Sequence, residues 1–231
     1  MHIEPSRVAD VELIGPDAAE FEGLIEALLG GKPDGVLKPA LPYSVIVRNA
    51  GARPLVLLGV RFDMVSPRNK PYSVVHYADT LRYPEKTSLV PGAARFLCAE
   101  RQYTEMVLRR ETSIDGRGAM NLANLSPALR VTASLDCVAF AGGQFAGPDS
   151  HGAFDRFRRE REAESALVEA VRQAGPAVAA LLAKEIETSG NPARRALAKQ
   201  FHAALTAGEL DARVANHRLR IPLWRADTGL R

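Results

Sequence analysis

The feature that most constrains this chain is a change of period near residue 150. Before it, apolar residues come in short β-branched runs separated by Gly, Pro, Asn and Asp clusters. After it, they recur every three or four positions among charged residues. Alternation at period two lines one face of a strand, and recurrence near 3.6 lines one face of a helix. The pattern predicts an α+β chain: an antiparallel β-sandwich over 39–149, then a helical segment with a basic tail over 150–231. Residues 1–38 form a strand-and-helix preamble, in which Phe21, Leu24, Ile25 and Leu28 share a helical stripe. So short a helix is marginal alone, so it is expected to pack on the main domain.

Within the β region, Tyr43 to Val47 and Leu55 to Phe62 read as strands joined by the loop Asn49-Ala50-Gly51-Ala52-Arg53-Pro54. Such a short Asn/Gly/Pro connection predicts a hairpin. On the second strand Val56, Leu58, Val60 and Phe62 alternate onto one face, and Leu55 and Leu57 point to the other. Both faces are therefore apolar. This predicts either a strand covered on both sides, by the C-terminal helices, or an exposed patch for a partner at Leu55 and Leu57. Tyr72 to Tyr77, the stretch around Phe96 and Cys98, and Leu129 to Phe140 are further strands. Residues 103–110 fit either a strand or a helix, and Asp115-Gly116 reads as a turn. With no helical crossovers between strands, a parallel α/β sheet is not expected.

Three helices follow. Asp155 to Gln173 ends at Gly175-Pro176. A second helix carries Val178, Leu181, Leu182 and Ile186. A third starts at Asn191-Pro192, with Asn191 as N-cap, Pro192 in the first position, and a stripe of Leu197, Phe201, Ala204 and Leu205.

The chain has 231 residues, a net charge of +3 and two cysteines. The charge is too small to imply a polyanionic partner by itself. Cys98 and Cys137 form no CxxC pair, so a thiolate zinc centre is not expected. No apolar window of bilayer length and no secretory signal is read, so a cytoplasmic location with reduced thiols and no membrane association is expected. If the chain were exported, the two cysteines could pair across the sheets.

The run Tyr43-Ser44-Val45-Ile46-Val47-Arg48-Asn49-Ala50-Gly51, the strand from Leu55, and the turn Leu89-Val90-Pro91-Gly92 resemble bacterial immunoglobulin-like domains. Asp136, Phe140, Gly143, Phe145, Gly147, Pro148 and Asp149 are similar to a stretch found in a family of bacterial proteins without assigned activity. Both resemblances imply a fold, and neither implies an activity.

Candidate chemistry is sparse. Asp149, His151 and Asp155 could ligate a metal or share a proton, although Pro148-Asp149-Ser150-His151-Gly152 also reads as a turn into a helix. Asp136 could pair with His76 if the fold brought them together. Cys98 and Cys137 share strand faces with apolar residues and read as core. Arg156, Arg158, Arg159 and Arg161, with Arg194, Arg195, Lys199, Arg213, Arg218, Arg220 and Arg225, could contact phosphates, but interleaved glutamates mark a solvated face. No phosphate-loop, dinucleotide, nucleophile-elbow or zincin motif is present. No cofactor is expected. The leading expectation is a non-enzymatic interaction or scaffold module that binds a protein partner or a second copy, with Leu55, Leu57, Arg156, Arg159, Arg218, Arg220 and Trp224 as interaction residues. The alternatives are a metal-dependent hydrolase using Asp149 and His151, and nucleic-acid binding through the arginine-bearing helices.

Overall fold

A computed structural model describes residues 1–65, 68–79, 88–109, 111, 113–114, 116–125, 130–216 and 223–225. Leu129, Asp115, Arg218 and Arg220 lie outside these residues, as does the side chain of Trp224. The chain is mixed α and β and divides into two compact units. The first is Met1–Ser150, rejoined by Arg225, and the second is His151–Trp224.

The first unit holds two sheets. The smaller pairs β2 (Val11–Ile14), β3 (Ser44–Asn49) and β6 (Ala94–Cys98) in the order β2-β3-β6, all antiparallel. The larger runs β5-β4-β7-β8-β9, from β5 (Pro71–Asp79) through β4 (Leu55–Val65), β7 (Val131–Phe140) and β8 (Gln144–Ala146) to β9 (Trp224–Arg225). Its pairs from β5 to β8 are antiparallel. The short β1 (His2–Ile3) adds to β7 in parallel. β3 and β4 are therefore successive in the chain but sit in different sheets, and each regains a partner later, β6 for β3 and β7 for β4.

One hydrophobic core joins the sheets. Val45, Ile46, Val47, Phe96 and Leu97 of the smaller sheet belong to the same cluster as Leu58, Val60, Phe62, Ala133 and Leu135 of the larger. Helix α1 (Phe21–Leu29) packs into it through Phe21 and Ile25, the expected stripe. The hairpin predicted from the 49–54 loop does not form, because the loop crosses between sheets. Asn49 organises that crossing. Its buried amide donates to the carbonyls of Arg53 and Leu89, both at 2.8 Å, and its Oδ1 accepts from Gly51 N at 3.1 Å. The Leu89 carbonyl also accepts from Leu55 N at 2.9 Å and Gly51 N also donates to the Asp10 carbonyl at 3.2 Å, so the amide reinforces backbone bonds already made at the crossing.

β4 departs from strict alternation. Its register with β7 shifts between Leu55 and Leu57 and again between Gly59 and Val60. At the first shift the extra residue is Val56 on β4, which lets Leu55 join the shared core with Leu58, Val60 and Phe62 as strict alternation forbids; at the second the extra residue is Asp136 on β7. Leu57 is fully buried outside that cluster, as are Cys137 and Ala139 beside it. Leu55 and Leu57 are 2% and 0% exposed and thus present no surface patch. Gly59 faces Cys137: a Cβ there would lie 2.8 Å from its sulfur and 3.0 Å from the Tyr77 ring.

Two helices interrupt the β region, one at the stretch left open between strand and helix and one where a turn is expected. α2 (Arg101–Arg109) resolves the ambiguous 103–110 stretch as helical. Tyr103 and Met106, three residues apart, are buried, and Arg101 and Arg109 each bridge to Glu105 across one turn. Thr104 Oγ1 accepts the Cys98 N–H at 2.8 Å, which ties the helix to the end of β6. α3 (Gly116–Leu125) begins where a turn is expected, and buries Leu122 and Leu125.

The second unit comprises α4 (Ala153–Ala174), α5 (Val178–Thr188), α6 (Pro192–Thr206) and α7 (Leu210–Asn216). Leu167, Val168, Val171, Leu182, Leu197, Ala198, Phe201 and Val214 form its core. Asn191 caps α6 as expected, accepting from Ala193 N and Arg194 N at 3.0 and 3.1 Å. Arg194 grips Glu185 with Nε at 2.8 Å and Nη2 at 2.5 Å, a bidentate pair that joins α6 to α5.

The run Ala153–Thr188 contains an 18-residue window of mean hydropathy 1.3 with at most 2 charged residues, 22% of it buried. By length and composition it meets the criterion for a membrane span, which the sequence reading did not expect. Gly175, at φ 50° and ψ −127°, breaks the run between α4 and α5. Leu167, Val168, Val171 and Leu182 within it are core residues of their own unit.

Candidate functional site

A set of buried polar contacts in the first unit lies where β7 meets the segment after β8. Asp136 is 1% exposed. Its Oδ1 accepts from Ser150 N at 2.9 Å and from Ser150 Oγ, and its main-chain oxygen accepts from Asp149 N at 2.8 Å. Asp136 Oδ2 is buried with no hydrogen-bond partner among the described residues. The turn can press this close because residue 147 is glycine. Gly147 sits at φ 111°, and a Cβ there would lie 2.6 Å from the Asp136 carbonyl oxygen. Asp149 takes the left-handed conformation, φ 55°, and its buried carboxylate receives Arg225 Nη2. The Arg225 guanidinium also lies over the Phe145 ring, 5.7 Å from its centroid.

The stretch from Asp136 to Asp149 is thus a lock that fastens the end of the β7–β8 hairpin. Each polar member has a structural use, and the phenylalanines bury against it. Ser150 and Arg225 were not among the residues singled out with Asp149 from sequence. Arg225 lies 76 positions away, so no local pattern announces it.

The proposed metal ligands are placed as follows. Asp149 is engaged by Arg225. Asp155, exposed on α4, pairs with Arg158 at 3.6 Å. His151 is exposed. Among the described residues, no group of three or more His, Cys, Asp or Glu side chains is arranged to hold a metal ion.

Asp136 and His76 are not brought together as a pair. They sit on β7 and β5, with β4 between them, and the Asp136 carboxylate is taken by Ser150. His76 stacks at a tilt on Phe62, with ring centroids 5.3 Å apart. Burial and the nearby Arg101 charge lower its pKa to about 4, against the opposing effects of the Cys98 backbone and Glu105. Its Nδ1 is buried with no hydrogen-bond partner among the described residues, which suits a neutral ring.

Both cysteines are free and buried. Burial pushes the Cys98 thiol up to about 12. A thiol held protonated is a poor nucleophile.

The helical arginines are mostly engaged at close range. Arg158 bridges Asp155 and Glu162, and Arg172 meets Glu169. Arg159 Nε donates to the Asp155 carbonyl at 3.2 Å, and Arg156 lies 5.0 Å from the Phe157 ring centroid. These are the mixed-sign helix contacts expected of a solvated face.

Comparison with protein-family models, with curated proteins and with solved structures gives no match for this chain.

Proposed function

We propose that this chain is a non-enzymatic protein-interaction module built on an immunoglobulin-like sandwich, and that it docks a second copy of itself along strand β5. The observation that carries this reading is the outer edge of β5. The strand runs nine residues, Pro71–Asp79, and pairs with β4 on one side. Among the described residues no strand pairs with its other side. An edge of this length, rich in Val and Tyr and with charges only near its ends, is a template for strand addition.

Isologous antiparallel pairing about Val75 sets Tyr72 of one copy opposite Ala78 of the other and brings the Lys70 end of each near the Asp79 end of its mate. The sandwich part of the reading is supported by strand order: β3 and β4 cross between sheets, then β6 returns to β3 and β7 to β4, the order that relates strands B, C, E and F in immunoglobulin-like sandwiches. The same reading places the chain in the cytoplasm, supported by its two free thiols.

Light scattering over a concentration series, with hydrogen exchange on the same samples, tests the docking. A dimer with slowed exchange along β5 is expected. Val75→Pro sets a ring at the centre of the proposed seam and is expected to give a monomer. A wild-type chain that stays monomeric at every concentration overturns the reading.

A further inference from the structure

The exposed half of the outer face of the larger sheet carries a groove that the interaction reading does not use. Strand register sets its floor. Three rows cross β7, β4 and β5: Arg130 beside Val65 and Pro71, Thr132 beside Asp63 and Ser73, and Ser134 beside Arg61 and Val75. Side chains at alternate positions point the same way, so these rows share one face. Further along that face lie the buried Leu57, Gly59 and Cys137, whereas Arg130 is exposed and Arg61 half-buried. The groove encloses about 430 Å³ and is lined by Arg61, Asp63, Pro71, Tyr72, Ser73, Arg130 and Thr132 among others. That volume falls within the range of small-molecule sites, roughly 300–1,000 Å³.

Its charge is not balanced. Arg61 turns Nε and Nη2 onto Asp63 Oδ1, at 2.8 and 2.7 Å, and Nη2 also reaches Ser73 Oγ at 3.2 Å. Ser73 Oγ in turn donates to the same Asp63 oxygen. This network spends the negative charge of Asp63 on Arg61 and fixes the guanidinium across the strands, and Nη1 makes no hydrogen bond or ion pair among the described residues. Arg130 has no ion-pair or hydrogen-bond partner among the described residues. The groove thus offers one held guanidinium, one unengaged guanidinium and the Thr132 hydroxyl, with the apolar surface of Val65 and Pro71 beside them. Two guanidinium groups lining one groove together with the Thr132 hydroxyl suit a planar or tetrahedral oxyanion.

We propose that this groove binds a small oxyanion, a carboxylate or a phosphate, held by Arg130 and by Arg61 in the geometry that Asp63 and Ser73 impose. Arg130 supplies the principal charge–charge contact, Arg61 the oriented second one. Asp63 and Ser73 are positioning residues.

The test is an NMR titration of the intact chain with two probes, sodium benzoate and inorganic phosphate, at constant ionic strength. Saturable shifts of the Arg130, Thr132 and Ser73 amides are expected with at least one probe. The probe that saturates at the lower concentration identifies the source of the anion, since benzoate alone can use Val65 and Pro71. Arg130→Glu is expected to weaken binding at least about ten-fold, the scale of one lost charge-assisted hydrogen bond. Thr132→Val keeps the charge and shape and is expected to weaken it less. Shifts that do not saturate with either probe overturn the proposal, as does saturable binding that Arg130→Glu leaves unchanged. The Arg130→Glu spectrum away from the groove reports whether that variant is folded. Should it not fold, Arg130→Gln takes its place.

Discussion

Ser150 presents two donors, its backbone N–H and its hydroxyl, to a single oxygen of Asp136, fourteen residues earlier in the chain. A carboxylate buried this deeply is tolerable only because donors reach it. Asp136→Ala strands the Ser150 donors and is expected to lower unfolding free energy by about 2–3 kcal/mol, the scale of hydrogen bonds to a charged group. Ser150→Ala removes only the hydroxyl bond and is expected to cost less. Urea unfolding of the three proteins checks the order.

Gly147 tests the same lock from the backbone side. It combines positive φ with a 2.6 Å approach to a carbonyl oxygen, so an alanine there is strained in both respects. Gly147→Ala is expected to destabilise by more than about 2 kcal/mol. Gly142, also at positive φ but with open space around it, is the control. Gly142→Ala is expected to cost less, and equal costs would deny the close approach any role.

Asn49 carries the crossing between sheets. Removing its amide leaves the Arg53 and Leu89 carbonyls and the Gly51 N–H without their side-chain partner. Asn49→Ala is expected to cost roughly 3 kcal/mol, and Asn49→Asp nearly as much because it keeps the acceptor and loses both donors. Thermal or urea melts decide this. A loss under about 0.5 kcal/mol would mean that the loop does not depend on the bonds.

His76 links stability to pH. Its folded pKa, about 4, lies below the ordinary 6.5. Between these values the unfolded chain binds more protons than the folded one, so stability rises with pH across the window. The contribution is fully present above the unfolded pKa and is lost as pH falls toward 4. The size is up to roughly 3 kcal/mol. Urea unfolding of wild type and His76→Gln at pH about 7 and about 4.5 measures it. The drop between the two pH values is expected to be smaller in the variant.

The thiols give a simpler readout. With Cys98 raised to about 12 and both sulfurs buried, neither is expected to react with a disulfide reagent in the native chain at mildly alkaline pH. Both are expected to react on denaturation. One fast native thiol would contradict the burial.

Much of the framework is legible in the residues. The alternation of Val131, Ala133 and Leu135 gives the first part of β7, and Asn191-Pro192 marks the start of α6 with its cap in place. The stripe of Phe21 and Ile25 gives a helix that packs into the core shared by the two sheets. What is not legible depends on contacts distant in sequence. Met106 and Leu108 alternate as a strand would, and only the bond from Cys98 N to Thr104 and the burial of Tyr103 select a helix. The extra residue Val56 on β4 moves Leu55 into the core and the extra residue Asp136 on β7 takes Cys137 out of line with Leu135, and strict alternation foresees neither. The partners of Asp136 and Asp149 are Ser150 and Arg225, chosen by a turn and by a strand that arrives much later. The groove at Arg130 needs the register of three strands before its residues are neighbours.

Arg225 reaches Asp149 only after the chain has passed through the whole of the second unit. The helical unit is therefore an insertion between two parts of the first, not an appendage after it. Bringing the ends of so long an excursion together costs entropy that grows only logarithmically with its length, so a prefolded insert with neighbouring termini makes the closure cheaper than a loose loop would. During synthesis, the counter-charge of Asp149 emerges after the other strands of the larger sheet. Until then the larger sheet lacks its final strand, and the lock on the β7–β8 hairpin stands without its cation.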